Sequence, residues 1–137
     1  MRSLALIVSR GETLEFVQAL TFLMAAVHSE MSLRVLFRHT AAARLTPAGI
    51  NAFDPSGPLA ADPAALRERL RRLDLLDAQR LLRDIKESGD VRYYACSSSL
   101  AVAGLERRDL IPEIDEVRGL PAFLMEDAKS ADRFMTL

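Results

Sequence analysis

The chain has 137 residues, half of them apolar and 27% charged, and its 18 basic and 19 acidic residues give a net charge of −1. This length suits a single domain over residues 1–137 that folds without disulfides or metal. The composition is typical of a globular protein, and the balanced charge argues against nucleic-acid binding through a basic face.

The chain contains one cysteine, Cys96, so an internal disulfide is excluded and a reducing cytoplasm is the expected location. The most apolar segment, residues 19–27, is too short to span a bilayer, and the N-terminal residues lack a signal-peptide pattern. The two histidines, His28 and His39, are not spaced as metal ligands, so no metal site is expected.

The first forty residues predict one β-α-β unit. Residues 3–9 form a continuous apolar run, which is typical of a buried parallel strand, and 32–39 predict a second strand. Between them a helix is predicted over 12–30, with Thr13 as its N-cap. This helix is apolar over most of its surface, so we expect burial on two sides, the second being a candidate subunit interface.

The next stretch, residues 40–62, accumulates proline and glycine and predicts a long irregular loop. Asp62 followed by Pro63 predicts a helix start, with the aspartate as N-cap and the proline at the first helical position. The helical pattern slips near 74–77, where we expect a break before a second helix that ends at Gly89.

The last third of the chain returns to alternating strands and helices. The predicted elements are a strand over 91–96, a helix from the serines to Gly104, a turn at 106–111, a short strand at 113–117, a helix at 121–131 and a strand at 132–137. Such alternation predicts an α/β fold with an open, mostly parallel sheet covered on both faces.

The only thiol lies where a predicted strand meets a predicted helix. Ligands and reactive groups gather at the carboxyl ends of parallel strands, and the first amides of a helix favour negative charge. Ser97, Ser98 and Ser99 add donors for a thiolate, and one of them could cap the helix. These residues favour Cys96 as a nucleophile, but a free cysteine is often only packed in a core, and both interpretations stay open.

The order of several residues is similar to the DsrE/DsrF-like family, which includes YchN and the Tus sulfur-relay subunits. The residues that carry the resemblance are Cys96, Ser99, Gly104, Glu106, Asp109, Leu110, Ile111, Val117 and Gly119. The β-α-β unit over 4–37 also resembles the opening of that family, so the likeness covers most of the chain apart from roughly 40–75.

The resemblance implies a three-layer α/β/α domain with a five-stranded parallel sheet that assembles into homo- or hetero-oligomers, often trimers or hexamers. It also implies that Cys96 carries a persulfide sulfur between donor and acceptor proteins, without a metal or organic cofactor. The protein would then be a sulfur carrier with sulfurtransferase-like chemistry. The alternative is a non-catalytic oligomeric domain that binds a partner protein or small ligand, with Cys96 as a structural residue.

Three further residues are expected at the same sheet edge. Arg10 follows the first predicted strand, and Arg38 and His39 close the second. His39 is a candidate base toward Cys96, and the two arginines are candidates to stabilise an anionic persulfide. The alternatives are a solvated loop histidine and surface ion pairs of little energetic value.

Overall fold

The computed structural model describes residues 2–137 and contains a single five-stranded sheet in which every pairing is parallel. The strands lie in the order β4-β3-β2-β1-β5. Their bounds are β1 (Ser3–Val8), β2 (Ser32–Phe37), β3 (Val91–Cys96), β4 (Glu116–Arg118) and β5 (Arg133–Thr136). Helices cover both faces of the sheet, so the predicted three-layer α/β/α architecture is confirmed.

Six α-helices connect the strands. They are α1 (Thr13–His28), α2 (His39–Ala43), α3 (Pro63–Arg72), α4 (Ala78–Glu87), α5 (Ser97–Ala103) and α6 (Leu120–Ala122). Helix α6 continues directly into a π-helical segment, Phe123–Ala128, and short 3₁₀ turns occur at Pro58–Ala60 and Arg107–Asp109. None of the helices in residues 2–137 is both long and apolar enough to cross a membrane.

The strand order decides which face each helix covers. From β1 to β4 the chain adds each strand on the same side of the previous one, and then β5 returns to the opposite edge, beside β1. Right-handed crossovers therefore put the helices before β4 on one face and α6 on the other. We call the face carrying Leu6, Val35 and Tyr93 the first face, and the face carrying Ile7, Leu36 and Tyr94 the second.

The first face holds the main core. A row of buried aromatic rings crosses it, with centroids 5.8 Å apart between Phe16 and Phe37 and 5.7 Å apart between Phe37 and Tyr93. The Tyr93 hydroxyl donates a hydrogen bond of 2.8 Å to the carbonyl of Leu82 in α4, so this buried polar group is satisfied. These contacts bind α1 and α4 to the middle of the sheet.

The two apolar sides of α1 are covered largely by other elements of the same chain. One side of α1 packs on the sheet, while Val17 packs in a separate cluster with Leu66 and Leu70 of α3. The expectation that the second side is a subunit interface is therefore wrong at Val17, because α3 covers it. Phe22 remains 38% exposed on the part of α1 that α3 leaves open.

Arg44 orders the segment that was predicted to be a long loop. Its guanidinium is buried and donates to the carbonyl oxygens of Gly11 at 2.9 Å, Ile50 at 3.1 Å and Ala52 at 2.7 Å. It also lies over the ring of Phe16, 5.1 Å from the centroid. One side chain thus fixes the turn after β1 and the chain after α2 against each other.

The two predicted N-caps have different outcomes. Asp62 accepts a hydrogen bond of 3.2 Å from the amide of Ala65, and Pro63 is the first residue of α3, as predicted. Thr13 is not an N-cap, because α1 begins at this residue. Its hydroxyl is used elsewhere and accepts a hydrogen bond of 2.7 Å from the amide of Asp54.

The short strand near the end of the chain is displaced from its predicted position. It was expected at 113–117 and is found at Glu116–Arg118. The residue before it, Asp115, is held by the amide of Tyr93 at 2.8 Å and by the ammonium of Lys86. These contacts fix the chain beside β3 before the ladder begins, so pairing starts later than the sequence pattern indicates.

Candidate functional site

Cys96 lies at the carboxyl end of β3 and is also the residue that precedes α5. Its Cα pairs with that of Arg118 in β4, and its side chain lies on the second face together with Tyr94. The short helix that follows ends at Gly104, whose φ of 72° is the left-handed conformation that glycine tolerates. The sequence therefore placed this thiol correctly at the junction of a strand and a helix.

Several donors surround the sulfur. Cys96 Sγ lies 3.4 Å from Ser98 Oγ, and the amide and hydroxyl of Ser99 and the guanidinium of Arg38 also act on it. Burial raises the pKa of the thiol, but these hydrogen bonds outweigh burial and lower the pKa from 9.0 to about 7. A larger fraction of Cys96 than of an ordinary cysteine is therefore thiolate at neutral pH, and the thiolate is the nucleophilic form.

The thiol is not open to solvent in this conformation. Cys96 has a relative exposure of 0% and belongs to the buried cluster of the second face, with Ala5, Ile7, Leu36, Tyr94 and Phe123. Of the two interpretations that the sequence left open, the burial agrees with a packed cysteine, whereas the donors around the sulfur agree with a nucleophile. Helix α6 and the π-helical segment after it lie on the same face, and Leu120 and Phe123 from these two elements belong to the same cluster as Cys96.

Arg38 and His39 stand beside a cleft of about 310 Å³ between α2 and α5. The Nε of Arg38 is buried and has no hydrogen-bond partner. The main chain of His39 is left-handed, with φ of 53°, and its amide donates a 2.9 Å hydrogen bond to Ser99 Oγ. His39 thus contacts the site through its backbone, while its exposed imidazole is not among the groups that shift the pKa of Cys96.

Two sequence candidates stand apart from the sulfur. Arg10 is exposed and lines a different cavity, of about 400 Å³, together with Leu14, Phe22 and Leu137. Ser97 is exposed on the first turn of α5. The expectation that a serine caps this helix is wrong, since Cys96 itself occupies the N-cap and makes no side-chain capping bond.

A charged group next to the cysteine was missed by the sequence reasoning. Arg118 donates to Asp127 at 2.5 Å and to Glu116 at 2.9 Å, and its guanidinium lies 4.2 Å from the ring centroid of Tyr94. The alternation of a strand would have placed Arg118 beside Cys96, but the strand was predicted to end one residue earlier. Its partners on the following helix could not be found by spacing alone.

No group of three or more potential metal ligands (histidine, cysteine, aspartate or glutamate) lies together within residues 2–137. The functional side chains that the structure brings together are Cys96, Ser98, Ser99 and Arg38, with the main chain of His39 bonded to Ser99. This arrangement can hold a thiolate and can donate hydrogen bonds to a second anionic atom attached to it.

The fold and site define an open, all-parallel α/β protein with one buried cysteine of lowered pKa at a strand–helix junction. No family model matches the chain, and no curated protein matches it. Among solved structures it is similar to MTH1491 of Methanobacterium thermoautotrophicum, a protein of unknown function. The TM-score is 0.54 and the identity 14%, over 98% of this chain and 99% of the other, so the likeness shows the fold alone.

Proposed function

We propose that this protein is a sulfur carrier, which holds a persulfide on Cys96 and passes it between partner proteins. The observation that carries the proposal is the hydrogen bonding of the sulfur by Ser98, Ser99 and Arg38, which lowers the pKa of Cys96 to about 7. A purely structural cysteine needs no such donors. The resemblance of the surrounding residues to the DsrE/DsrF-like family points to the same chemistry.

In the proposed step, the Cys96 thiolate attacks the outer sulfur of a donor persulfide, R–S–SH. A new S–S bond forms on Cys96 while the donor's S–S bond breaks, and the electron pair leaves on the donor thiolate. The outer sulfur keeps its proton, so Cys96 becomes Cys–S–SH and no oxidant or reductant is consumed. Delivery is the same exchange, with the thiolate of an acceptor attacking the outer sulfur.

The neighbouring side chains have separate tasks in this proposal. Ser98 and Ser99 stabilise the attacking thiolate, which raises the fraction of reactive Cys96 at neutral pH. The buried Nε–H of Arg38 has no partner in the resting structure, so it remains available to donate to the sulfur that arrives. Because this role differs from stabilising the thiolate, Arg38→Met should shorten the lifetime of the persulfide as well as raise the pKa of Cys96.

We also propose that the carrier is cytoplasmic and forms a homo-oligomer, a trimer or hexamer, that exchanges sulfur with separate donor and acceptor proteins. The single cysteine supports a reducing compartment, and it means that the second thiol of each exchange must come from another protein. Exposed Phe22, beside the apolar cavity that also includes Leu14 and Leu137, supports a further subunit contact.

The test is to incubate the protein with a low-molecular-weight persulfide and then to measure its intact mass after removal of the donor. We expect a gain of one sulfur atom in the native protein and none in Cys96→Ser. Ser88→Ala is a matched control, because Ser88 is an exposed serine at the end of α4 on the first face, where its hydroxyl donates to the carbonyl of Asp84. A native protein that retains no sulfur at any pH between 6 and 9 would contradict the proposal.

The burial of Cys96 favours a second candidate, a non-catalytic oligomeric domain in which the cysteine only packs. The same arrangement of helices would then serve to bind a partner protein or small ligand. The two functions are separated by Cys96→Ala, which keeps a small apolar side chain in the cluster. If this variant retains every partner contact of the native protein, and the native protein takes up no sulfur, the second candidate is correct.

A further inference from the structure

We infer that α6 and the π-helical segment after it form a cover over Cys96, and that opening of this cover controls when the thiol meets its sulfur donor. We call residues 120–128 the cover. The inference rests on the proposed function, since only a reactive cysteine needs to be exposed in turn. Its physical basis is a contradiction within the structure: the sulfur is prepared for reaction, yet Cys96 is 0% exposed.

Movement of the cover would expose the sulfur with the smallest loss of other contacts. The rest of the cluster around Cys96 consists of strand residues in the middle of the sheet, such as Ile7, Leu36 and Tyr94. Moving these strands would break the ladder, whereas the cover contributes Phe123 and the partly buried Leu120 from outside the sheet. No other helix in residues 2–137 contributes to this cluster, so the cover can move without displacing a neighbouring helix.

A small set of contacts holds the cover closed. Arg118, on the strand beside Cys96, binds Asp127 at 2.5 Å and lies 3.4 Å from Glu126, and both carboxylates belong to the cover. The Arg118 and Asp127 side chains are only 19% and 10% exposed, so solvent screens this ion pair less than a surface pair. The ring of Phe123 meets Tyr94 edge to face, with centroids 6.1 Å apart.

The backbone of the cover also supports movement. Phe123–Ala128 is π-helical over six residues, and this geometry is rare, is usually limited to single turns and is frequent at functional sites. Gly119 precedes the cover in an extended conformation, and after the cover Asp132 is fixed to Ser3 of β1 by hydrogen bonds of 2.9 Å. Movement is therefore confined to the chain between these two positions, with Gly119 suited to act as a hinge.

The exposure of the Cys96 sulfur and the pKa of its thiol depend on different contacts, so one experiment can measure the two separately. The rate at which iodoacetamide alkylates Cys96 is measured between pH 5 and pH 10. The midpoint of the profile reports the pKa of the thiol, and the plateau at high pH reports how often the ionised thiol is uncovered. Ser98→Ala should raise the midpoint, because Ser98 bonds the sulfur, and should leave the plateau unchanged.

Asp127→Asn should change the plateau of the alkylation profile and leave its midpoint unchanged. It removes the charge that pairs with Arg118 while keeping the shape of the side chain, so the plateau should rise about tenfold with no change in midpoint. Asp84→Asn is the matched control, because it removes the pairing of Asp84 with Arg80 on α4, which lies on the first face and not on the face of the cover. This control should label at the native rate.

Repeating the measurement in low concentrations of urea excludes global unfolding as the route. Opening of the cover exposes little surface, so the rate should depend weakly on urea, whereas labelling through unfolding would rise steeply. The inference is overturned if native Cys96 labels as fast as free cysteine. It is also overturned if Asp127→Asn labels at the native rate or no faster than Asp84→Asn. A labelled thiol that never retains sulfur contradicts the proposed function instead.

Discussion

The two faces of the sheet differ although they are made by alternate residues of the same strands. Tyr93 and Tyr94 are neighbours, yet Tyr93 is sealed in the main core, where burial raises its pKa. Tyr94 points to the second face, where Arg118 covers its ring and Asp127 lies 3.5 Å from its hydroxyl. The first face is closed by several helices and supplies stability, whereas the second has one covering helix and holds the reactive group.

This difference should appear most strongly when a first-face ring is removed. Phe37 is fully buried between Phe16 and Tyr93, so Phe37→Ala should lower the free energy of unfolding by about 4 kcal/mol in urea denaturation. Phe134→Ala is the matched control, since Phe134 is 46% exposed on edge strand β5 and should cost well under half as much. Equal losses for the two variants would mean that the faces do not differ as described.

The sequence predicted the faces better than it predicted what covers them. The alternation of strands and helices correctly predicted the parallel sheet, and Cys96 was correctly expected at the end of the third strand. The burial of Cys96 could not be decided from the sequence, because it depends on the position of β5 beside β1, which reverses the last crossover and puts α6 on the second face. Spacing along a chain carries no signal for that choice of edge.

The order of residues 40–62 could not be decided from the sequence for a similar reason. Proline and glycine correctly indicated irregular chain, but nothing in the sequence around Arg44, which lies between Ala43 and Leu45, indicates a buried charge. Its burial arises because several backbone carbonyls from two distant turns converge on one guanidinium. Hydrogen bonds from one side chain to the carbonyls of distant turns depend on the folded structure and cannot be predicted from spacing along the sequence.

The next largest effect should come from Arg44, on the first-face side of the molecule. Arg44→Met keeps much of the apolar contact with Phe16 but leaves the carbonyls of Gly11, Ile50 and Ala52 without their donor. We expect a loss of about 2–3 kcal/mol in the free energy of unfolding, measured in urea. Arg44→Lys should restore only part of it, because an ammonium cannot reach all three oxygens. Full restoration by lysine would show that charge alone matters.

Cys96 on the second face should make the stability of the folded protein depend on pH. The pKa of Cys96 is lowered to about 7 in the folded protein from 9.0, so the unfolded chain binds more protons between these values and stability should rise with pH across this window. The contribution is complete above pH 9 and is lost as the pH falls through 7. Relative to Cys96→Ala, the native protein should gain about 2 kcal/mol from pH 6.5 to pH 9.5.

Urea denaturation of both proteins at matched pH values measures this difference. Other titrating groups cancel in the comparison, because only the cysteine has been removed. A difference that stays constant with pH would indicate that the thiol has an ordinary pKa, and the site would then lack the property on which sulfur transfer depends. A difference that falls with rising pH would indicate a raised pKa, as expected for a thiol that is merely packed.

The smallest effect should come from the exposed ion pair of the second face. Arg34 and Asp90 are 3.1 Å apart, but their side chains are 31% and 53% exposed. Asp90→Asn should therefore lower the free energy of unfolding by only about 0.5 kcal/mol, and by less in 1 M salt. Asp127→Asn removes the same kind of charge from a pair that is much less exposed, so its cost should be larger and should persist in salt. Equal costs would mean that the Arg118–Asp127 pair does not hold the cover in place, and that charges on the second face act only as a solvated surface.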